Sequence, residues 1–309
     1  MKHSLDRKMD RILERENSGR IKKGIRNRAL RKLFANKLSV LGFIIFFVIM
    51  FMCLCAPLFT QYSSTKVDLR NILSPPTSSH IFGTDKIGRD IWARILYGGR
   101  ISIGVGLGSA LVATGRGGVL LLGVSLGTMA GYKGGWFDGI IMKVSEILMS
   151  FPQIILVLIL VTITGQSLWN LIFIFSITGW PSMYRMARSQ MLSLREEEYV
   201  QALKAFGIGS MRIAFVHMLP NAIGPIFVNI TLSTAMFILQ EASLSFLGLG
   251  VPLEVATWGN ILNAAQDLMI LKNSWWVWLP AGSVVTLFVV GINFIGDGLR
   301  DATDPSQIG

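Results

Sequence analysis

Charged side chains are scarce in this sequence. Of its 309 residues only 15% are charged, whereas 51% are hydrophobic, and the mean hydropathy is +0.54. Soluble globular domains carry about 25% charged residues. The composition therefore disfavours a soluble domain and makes an integral membrane protein the first hypothesis.

Residues that could perform metal or nucleophilic chemistry are equally few. Three histidines, His3, His80 and His217, are widely separated, and no paired His or Cys spacing suits a metal ion. Cys53 and Cys55 both lie inside the first apolar run, where small apolar fillers are expected. No Gly-Lys dipeptide occurs, which excludes a Walker A phosphate loop. We therefore expect no catalytic, metal or cofactor-binding residues in this chain.

Positive charge is concentrated at the N-terminus. Residues 1–38 carry 13 Lys/Arg against 4 Asp/Glu, which accounts for 9 of the 11 net positive charges. A nucleic-acid binder needs a basic face on a folded domain, whereas basic residues ahead of an apolar run follow the positive-inside rule. Residues 1–38 are therefore predicted to be a basic cytoplasmic segment, either a solvated anchor or a docking segment for a partner, and no nucleic-acid partner is expected.

Long charge-free intervals follow the basic segment. A bilayer core of about 30 Å needs about 20 apolar helical residues. Intervals of this kind are 38–65, 101–132 with Arg116 as its one interruption, 147–184, 213–240 and 273–296. The third interval is too long for one span, and Gly165-Gln166-Ser167 is a turn signal that divides it. The pattern predicts an all-α fold with six transmembrane helices.

Six spans that start from the cytoplasm predict how the chain is organised. Both termini are then cytoplasmic, and the protein is a multi-pass component of the cell membrane. The predicted segments after residue 38 are a first transmembrane helix at 39–60, an extracytoplasmic segment at 61–100, a five-helix core at 101–300 with a cytoplasmic loop at 185–217, and a cytoplasmic tail at 301–309.

Two local patterns refine this organisation. In the outer segment Ile87, Ile91 and Ile95 repeat every four residues, and Asp90 and Arg94 are expected to pair; the pattern predicts an amphipathic helix at the outer mouth or on the membrane surface. In the second span, small residues four apart predict close helix packing in lipid. They are the glycines at 104, 108, 123, 127 and 131.

The cytoplasmic loop contains a predicted helix. Ser193-Leu194-Arg195-Glu196 fits a capping box, which predicts a helix over 194–206. Tyr199, Ala202, Leu203 and Phe206 form an apolar stripe, and Gly207 is suited to a left-handed helix exit. Helices that bind lipid surfaces are usually rich in Lys/Arg, whereas this one opens with three glutamates. A protein partner is therefore favoured over a membrane surface.

At these residues the chain resembles the permeases of binding-protein-dependent importers. The resemblance extends from about residue 36 to the end and is to the second permease of the dipeptide, oligopeptide and nickel group. Its motifs are FGTDKIGRD at 82–90, EYVQALKAFG at 198–207 followed by Ile213, His217 and Leu219-Pro220-Asn221, EASLSFLGLG at 241–250, and GDGLRDATDP at 296–305. The departures are Leu203, Gly209 and Thr303, where alanine, serine and leucine are usual.

The resemblance implies a type I ABC importer permease fold and a set of partners. These partners are a second homologous permease, two cytoplasmic ATPase subunits that bind ATP and Mg, and an extracytoplasmic solute-binding protein; the chain itself would not be an enzyme. The implied ATPase-coupling residues are Glu198, Tyr199, Ala202, Leu203, Phe206 and Gly207. The implied extracytoplasmic motif comprises Gly83, Thr84, Asp85, Gly88, Arg89 and Asp90.

Cargo and path stay open at this point. Peptides are the first expectation and nickel or a nickel chelate the alternative, because the resemblance covers both. A secondary transporter or channel is disfavoured since the spans are poor in acidic residues, and a structural scaffold would not explain the capped loop helix. The candidate intramembrane charges are Arg116, Glu146 and Glu241, which either line the translocation path or form ion pairs.

Overall fold

The computed structural model describes residues 32–111 and 119–303. Within these ranges the regular structure is helical, apart from one isolated bridge between Thr84 and Asp90, as the sequence predicts for an all-α fold. Arg116 and most of the basic segment and the tail lie outside the described residues, so the predictions for them stay predictions.

The long helices follow the apolar intervals. In chain order, the long helices and the shorter ones between them are α1 (Lys37–Leu54), α2 (Ile91–Leu111), α3 (Val119–Lys133), α4 (Gly135–Ser150), α5 (Gln153–Thr164), α6 (Leu168–Arg195), α7 (Glu198–Ala205), α8 (Ile223–Phe246), α9 (Trp258–Leu262), α10 (Leu268–Asn273) and α11 (Trp275–Thr303). Short helical turns fill several connections: Ala56–Phe59, Ser210–Arg212, Leu219–Asn221 and Asn263–Gln266, with a π-helical segment at Ile213–Met218.

Three of the described helices, α1, α8 and α11, are each long and apolar enough to cross a membrane. The helices α4 and α5 reach that length only together, and their axes meet at 87°. Proline explains the bend. Pro152 has no backbone N–H to continue α4, and Phe151 before it is extended, with φ −92° and ψ 139°, as residues before proline usually are.

The helix boundaries agree with the predicted turn at Gly165 but differ from the sequence prediction in two other places. α5 ends at Thr164 and α6 begins at Leu168, so the turn at Gly165, with φ +84°, divides the third interval as predicted. That helical region begins at Gly135 and not near residue 147. α2 runs unbroken from Ile91 to Leu111, so the expected boundary at residue 100 is not the end of a helix.

Glycines allow α3 to lie directly against α6. A Cβ at Gly123, Gly127 or Gly131 would come within 2.9 Å of a carbonyl oxygen of α6. This contact confirms the predicted close packing for these three glycines. The prediction fails at Gly104, where a Cβ would meet nothing within 4 Å.

Two of the three clusters of buried apolar side chains in the described residues are centred on α6 and on Trp258. One lies along α6, where Phe175 stacks on Phe237 of α8 with ring centroids 5.5 Å apart. The other surrounds Trp258 of α9, which is fully buried, packs on Phe288 of α11 and donates from Nε1 to the Ile95 carbonyl at 3.0 Å. α9 therefore connects the loop between α8 and α11 to the start of α2.

Candidate functional site

The start of α7 differs from the prediction. α6 continues through Ser193 and ends at Arg195, so Ser193 is helical and cannot cap a new helix, which needs an extended residue at that position. The prediction of a capping box at 193–196 is therefore wrong. α7 begins at Glu198 after Glu197, whose backbone is extended but whose side chain makes no capping hydrogen bond.

The end of α7 is the predicted left-handed exit. Gly207 has φ +72°. Its N–H donates to the Lys204 carbonyl at 2.9 Å, and the Ile208 N–H donates to the Leu203 carbonyl at 3.2 Å. These two bonds are those of a Schellman motif, and they fix the direction in which the chain leaves α7.

One face of α7 packs on the protein itself. Val200 is fully buried in the cluster along α6, and Leu203 is half-buried against the same cluster. The Tyr199 hydroxyl accepts a hydrogen bond from the Asn221 amide at 3.1 Å. Leu203 therefore belongs to the internal contacts of α7 and not to an outward stripe, which corrects the sequence prediction at this position.

The other face of α7 is an exposed apolar strip. It comprises Tyr199, Ala202 and Phe206, and Phe206 has 84% of its surface accessible. We call these three residues the coupling surface. Exposed Met211 and Val216 follow it along the chain. A phenylalanine this exposed is unfavourable in water, and apolar surface of this kind marks an interaction site.

The first turn of α4 is tied to α6 by a charged cluster. The Arg188 guanidinium donates from Nε and Nη2 to the two carboxylate oxygens of Asp138, at 2.5 Å each. The Tyr184 hydroxyl donates to the same carboxylate at 2.9 Å. We call Asp138, Tyr184 and Arg188 the inner clamp. Sequence reasoning missed it, although an aspartate beside an otherwise apolar stretch was a signal that could have been followed.

The FGTDKIGRD motif folds into a compact turn just before the start of α2. The Asp85 carboxylate accepts from the backbone N–H groups of Ile87 and Arg89, at 3.0 and 2.9 Å, and from the Arg89 Nε at 2.7 Å. The Arg94 Nε lies 3.8 Å from the same carboxylate. Asp85 is buried, so this carboxylate organises the turn from inside it.

Asp90 caps the start of α2, and the pair predicted between Asp90 and Arg94 does not form. One carboxylate oxygen accepts from the Ala93 N–H at 2.7 Å, and the other lies 2.8 Å from the His80 Nδ1. The predicted amphipathic helix also starts too early, because Ile87 lies in the turn and α2 begins at Ile91. The Asp90 carboxylate accepts its hydrogen bonds from the backbone of α2 and from His80, so Arg94 lies beside Asp85 instead.

Glycines let the turn pack tightly on the preceding loop. Gly88 has φ +80°, and a Cβ there would lie 1.8 Å from the Asp68 carbonyl oxygen. Gly83 has φ +65°, and a Cβ there would lie 2.4 Å from the Ser74 carbonyl oxygen. Hydrogen bonds from the Asn71 amide and the Arg70 N–H lower the pKa of the Asp68 carboxyl. Residues 60–94 thus form one outer cap, with a cavity of about 490 Å³ beside His80 and Asp90.

The two candidate acids in the spans have different surroundings. Glu241 is fully buried between α8, α2 and α9, and its carboxylate accepts from the hydroxyls of Ser102 and Ser245, both at 2.8 Å. The Ser102 hydroxyl in turn accepts from the Trp258 N–H at 3.1 Å. Glu146 is exposed on α4. The structure therefore places Glu241 inside the helix packing of this chain, away from its surface.

Comparison with known proteins identifies the family. Residues 123–309, which contain the coupling surface and the inner clamp, match the family described as the binding-protein-dependent transport system inner membrane component. The chain belongs to this family. Residues 26–76 match the N-terminal transmembrane domain of oligopeptide transport permease C. The protein is therefore a membrane-embedded permease component of a transport system.

Individual permeases align with almost the whole chain. The oligopeptide transport system permease protein OppC of Bacillus subtilis is 40% identical over 279 residues, 90% of this chain and 88% of its own length. The dipeptide transport system permease proteins DppC of Alkalihalophilus pseudofirmus and of Bacillus subtilis are 40% and 38% identical, each over 90% of this chain and over 89% and 84% of their own lengths.

Proposed function

We propose that this chain is one of two permease subunits of an ABC importer for di- or oligopeptides, and that it forms half of the translocation path. Partner ATPases bind and hydrolyse ATP, so this subunit needs no cofactor of its own. The relatives named for oligopeptide and dipeptide transport support peptides as the cargo. The nickel alternative has no comparable support.

The order of the helices supports a six-span topology with both termini in the cytoplasm. In this arrangement the spans are α1, the pair α2 and α3, the bent pair α4 and α5, α6, α8 and α11. The chain then crosses from the basic N-terminal segment to the outer cap through α1 and returns to the cytoplasm at Lys133. α7 and the inner clamp lie on the cytoplasmic side, in agreement with the positive-inside rule.

The coupling surface is the observation that carries this proposal. Its three side chains are exposed in the chain alone, on a helix whose opposite face is anchored by Val200 and Leu203. An apolar strip on an anchored helix suits a groove on a partner protein, since its burial there would remove about 25 cal/mol per Å² of unfavourable apolar exposure. We assign the groove to a cytoplasmic ATPase subunit.

The contacts of α7 suggest how movement of the ATPases reaches the membrane. Gln201 donates to the Arg195 carbonyl at the end of α6, and Tyr199 is bonded to Asn221 just before α8. A displacement of α7 is therefore transmitted to two spans together. ATP-driven approach of the ATPases would rotate α6 and α8 and alternately open the path to the two sides of the membrane.

The remaining partners are assigned by side of the membrane. The outer cap, which is held together by internal hydrogen bonds and tight glycine contacts, is the proposed docking surface for an extracytoplasmic solute-binding protein. The second permease would cover exposed helix faces and complete the path, while lipid covers the rest.

Two substitutions on α7 test the proposal. Ala202→Asp places a carboxylate in the proposed apolar contact, which is costly unless the carboxylate is paired. Gly207→Val disfavours the left-handed exit by about 1–2 kcal/mol. We expect both variants to reach the membrane at wild-type levels and to lose peptide uptake in reconstituted complexes, through loss of bound ATPase or through hydrolysis without transport.

Ser193→Asp is the matched control. Ser193 is exposed near the end of α6, so this change adds the same charge close to the loop but outside the coupling surface, and uptake should persist. Normal uptake by both α7 variants at matched expression would show that α7 is only a connector.

A further inference from the structure

A second cavity, smaller than the one beside His80, lies between the outer cap and the loop that carries α9. Its volume is about 40 Å³. The FGTDKIGRD turn and the first residues of α2 form one wall, and residues 253–264 with the start of α11 form the other. Lys86 on the first wall and Leu253 on the second are exposed. The cavity therefore lies just beneath the surface that the proposed topology places outside the membrane.

Cations outnumber anions around this cavity. Four charged side chains line it among the described residues, and Asp85 is the one acid, beside Lys86, Arg89 and Arg94. Asp85 already pairs with Arg89, whose Nε donates to its carboxylate at 2.7 Å. The Arg94 Nε lies 3.8 Å from that carboxylate, a distance too long for a hydrogen bond. One carboxylate is thus shared by two guanidinium groups.

Arg94 is the buried cation of this set. Its side chain is 2% exposed, and its hydrogen bond within residues 32–111 and 119–303 runs from Nη1 to the Ser64 carbonyl at 3.3 Å. A guanidinium has five N–H donors, so most of its donors have no acceptor among these residues. A buried charge is costly unless it is paired and hydrogen-bonded. The site next to the cavity therefore favours an anion as the missing partner.

Asn260 on the opposite wall carries a second unsatisfied group. The residue is 6% exposed. Its Nδ2 is fixed by hydrogen bonds to the carbonyl oxygens of Val251, Pro252 and Val255, at 3.1, 3.0 and 2.9 Å. Its Oδ1 is buried and accepts no hydrogen bond from any described residue. The cavity is thus bordered by buried donors on one wall and a buried acceptor on the other.

We propose that this cavity receives the carboxylate of an aspartate or glutamate of the solute-binding protein when that protein docks on the outer cap. The inference rests on the proposed function and deepens it, because it specifies the chemistry of one contact on the docking surface. Arg94 donates hydrogen bonds to the carboxylate, which are strong because both groups are charged, and Lys86 attracts the carboxylate at the mouth.

The volume of the cavity agrees with this occupant. It has room for about three water-sized groups. Two are the carboxylate oxygens, and the third is a water that donates to the Asn260 Oδ1. The rest of the molecule that supplies the carboxylate stays outside, as it does when a docked protein presents a side chain on a short stem. Complementary charges of this kind steer two proteins together and fix their register.

Binding of the purified, peptide-free solute-binding protein to the complete complex in lipid nanodiscs tests the contact. Arg94→Gln should weaken binding about 30-fold, the factor that corresponds to about 2 kcal/mol. Ala264→Leu fills the cavity from the other wall without changing a charge and should weaken binding by a similar factor. Lys86→Gln should weaken it about threefold, as for an exposed ion pair. Lys272→Gln, which removes an exposed cation of α10 outside the cavity, is the control and should bind normally.

A double-mutant cycle identifies the partner group and does not depend on how well Arg94→Gln folds. Each acidic surface residue of the binding protein is changed to its amide, and binding is measured with the wild-type complex and with Arg94→Gln. One of these changes should weaken binding to the wild type about 30-fold and to Arg94→Gln about twofold or less. If no acidic residue couples to Arg94 in this way, the proposal is wrong.

Two other occupants predict different results, and either result would overturn the proposal. If the C-terminal carboxylate of the peptide enters the cavity, Arg94→Gln lowers uptake of a free peptide but not of its C-amidated form, and the peptide-free binding protein binds normally. If chloride enters it, replacing chloride by gluconate lowers the unfolding temperature of the wild type but not of Arg94→Gln, and no acidic residue of the binding protein couples to Arg94.

The wild-type complex separates this site from the function itself. If the wild type binds the solute-binding protein and every variant binds it equally well, the carboxylate site is overturned while the importer assignment stands. Failure of the wild-type complex to bind that protein at all would overturn the proposed function, and the carboxylate site with it.

Discussion

Replacing Asp138 by asparagine should loosen the first turn of α4 from α6. In the inner clamp the Asp138 carboxylate accepts two hydrogen bonds from Arg188 and one from Tyr184. Asparagine keeps the shape of the side chain and one acceptor oxygen, but it removes the negative charge and one of the two oxygens that Arg188 uses.

The magnitude follows from the burial of the pair. The side chains of Asp138 and Arg188 are 12% and 25% exposed, so solvent screens them only in part. Hydrogen bonds to charged groups are worth about 1.5–3 kcal/mol each, and loss of one partner of a buried ion pair costs about 3–5 kcal/mol. For this partly exposed pair we expect Asp138→Asn to cost about 2–3 kcal/mol, and Tyr184→Phe, which removes a single hydrogen bond, about 1 kcal/mol.

A double-mutant cycle measures the interaction directly. Equilibrium unfolding in mixed micelles gives the free energies of unfolding of wild type, Asp138→Asn, Arg188→Gln and the double variant. The double variant has a neutral amide at each position and leaves no unpaired charge. It should therefore be more stable than the sum of the single losses predicts, by about 2 kcal/mol.

Additivity would refute this account. If the losses of the two single variants add to that of the double variant within about 0.5 kcal/mol, Asp138 and Arg188 do not stabilise each other, and the clamp is a surface contact of little energetic value. Membrane insertion is checked first, because a variant that fails to insert reports on biogenesis and not on the pair.

Three further predictions concern packing, the outer cap and topology. Gly127→Val should lower the folded yield in membranes, because even a Cβ at this position would lie 2.5 Å from the Tyr184 carbonyl oxygen; Gly104→Ala, with open space around it, should not. Gly88→Ala should abolish uptake with α7 intact, since its Cβ would lie 1.8 Å from the Asp68 carbonyl oxygen, and retention of ATPase with loss of binding-protein docking is the expected readout. Cysteines placed at positions 75, 190 and 263 should be labelled by an impermeant thiol reagent from outside, inside and outside respectively. Labelling of position 190 from outside intact cells would contradict the six-span topology.

Features that depend on the local sequence could be predicted without the structure. Apolar length decides which segments suit a bilayer, so helices were expected where α1, α8 and α11 lie. The turn at Gly165 and the left-handed exit at Gly207 depend on the backbone freedom of one residue. The small-residue spacing at 123, 127 and 131 also predicted close packing, although spacing alone did not exclude Gly104.

Choices between nearby alternatives were made by the tertiary structure. Ser193 had the right neighbours for a cap, but α6 continues through it, and the helix starts anew only where Val200 can reach the core. Arg94 could have paired with Asp90 one turn away, yet Asp90 is used by the start of α2, and Asp85 lies nearer in space. The tertiary structure likewise decided that Val200 and Leu203 are the residues of α7 that face the core.

Contacts between residues far apart in the chain could not be predicted from the sequence either, because they depend on how the helices pack. Asp138 and Arg188 are 50 residues apart, and Gln153 meets Thr178 only because α5 folds back along α6. The apolar pattern of the chain determined that it is a helical membrane protein, because transfer into lipid depends on composition and length. Which polar groups satisfy one another inside it depends on distances that exist only after the helices have packed, and those were decided by the tertiary structure alone.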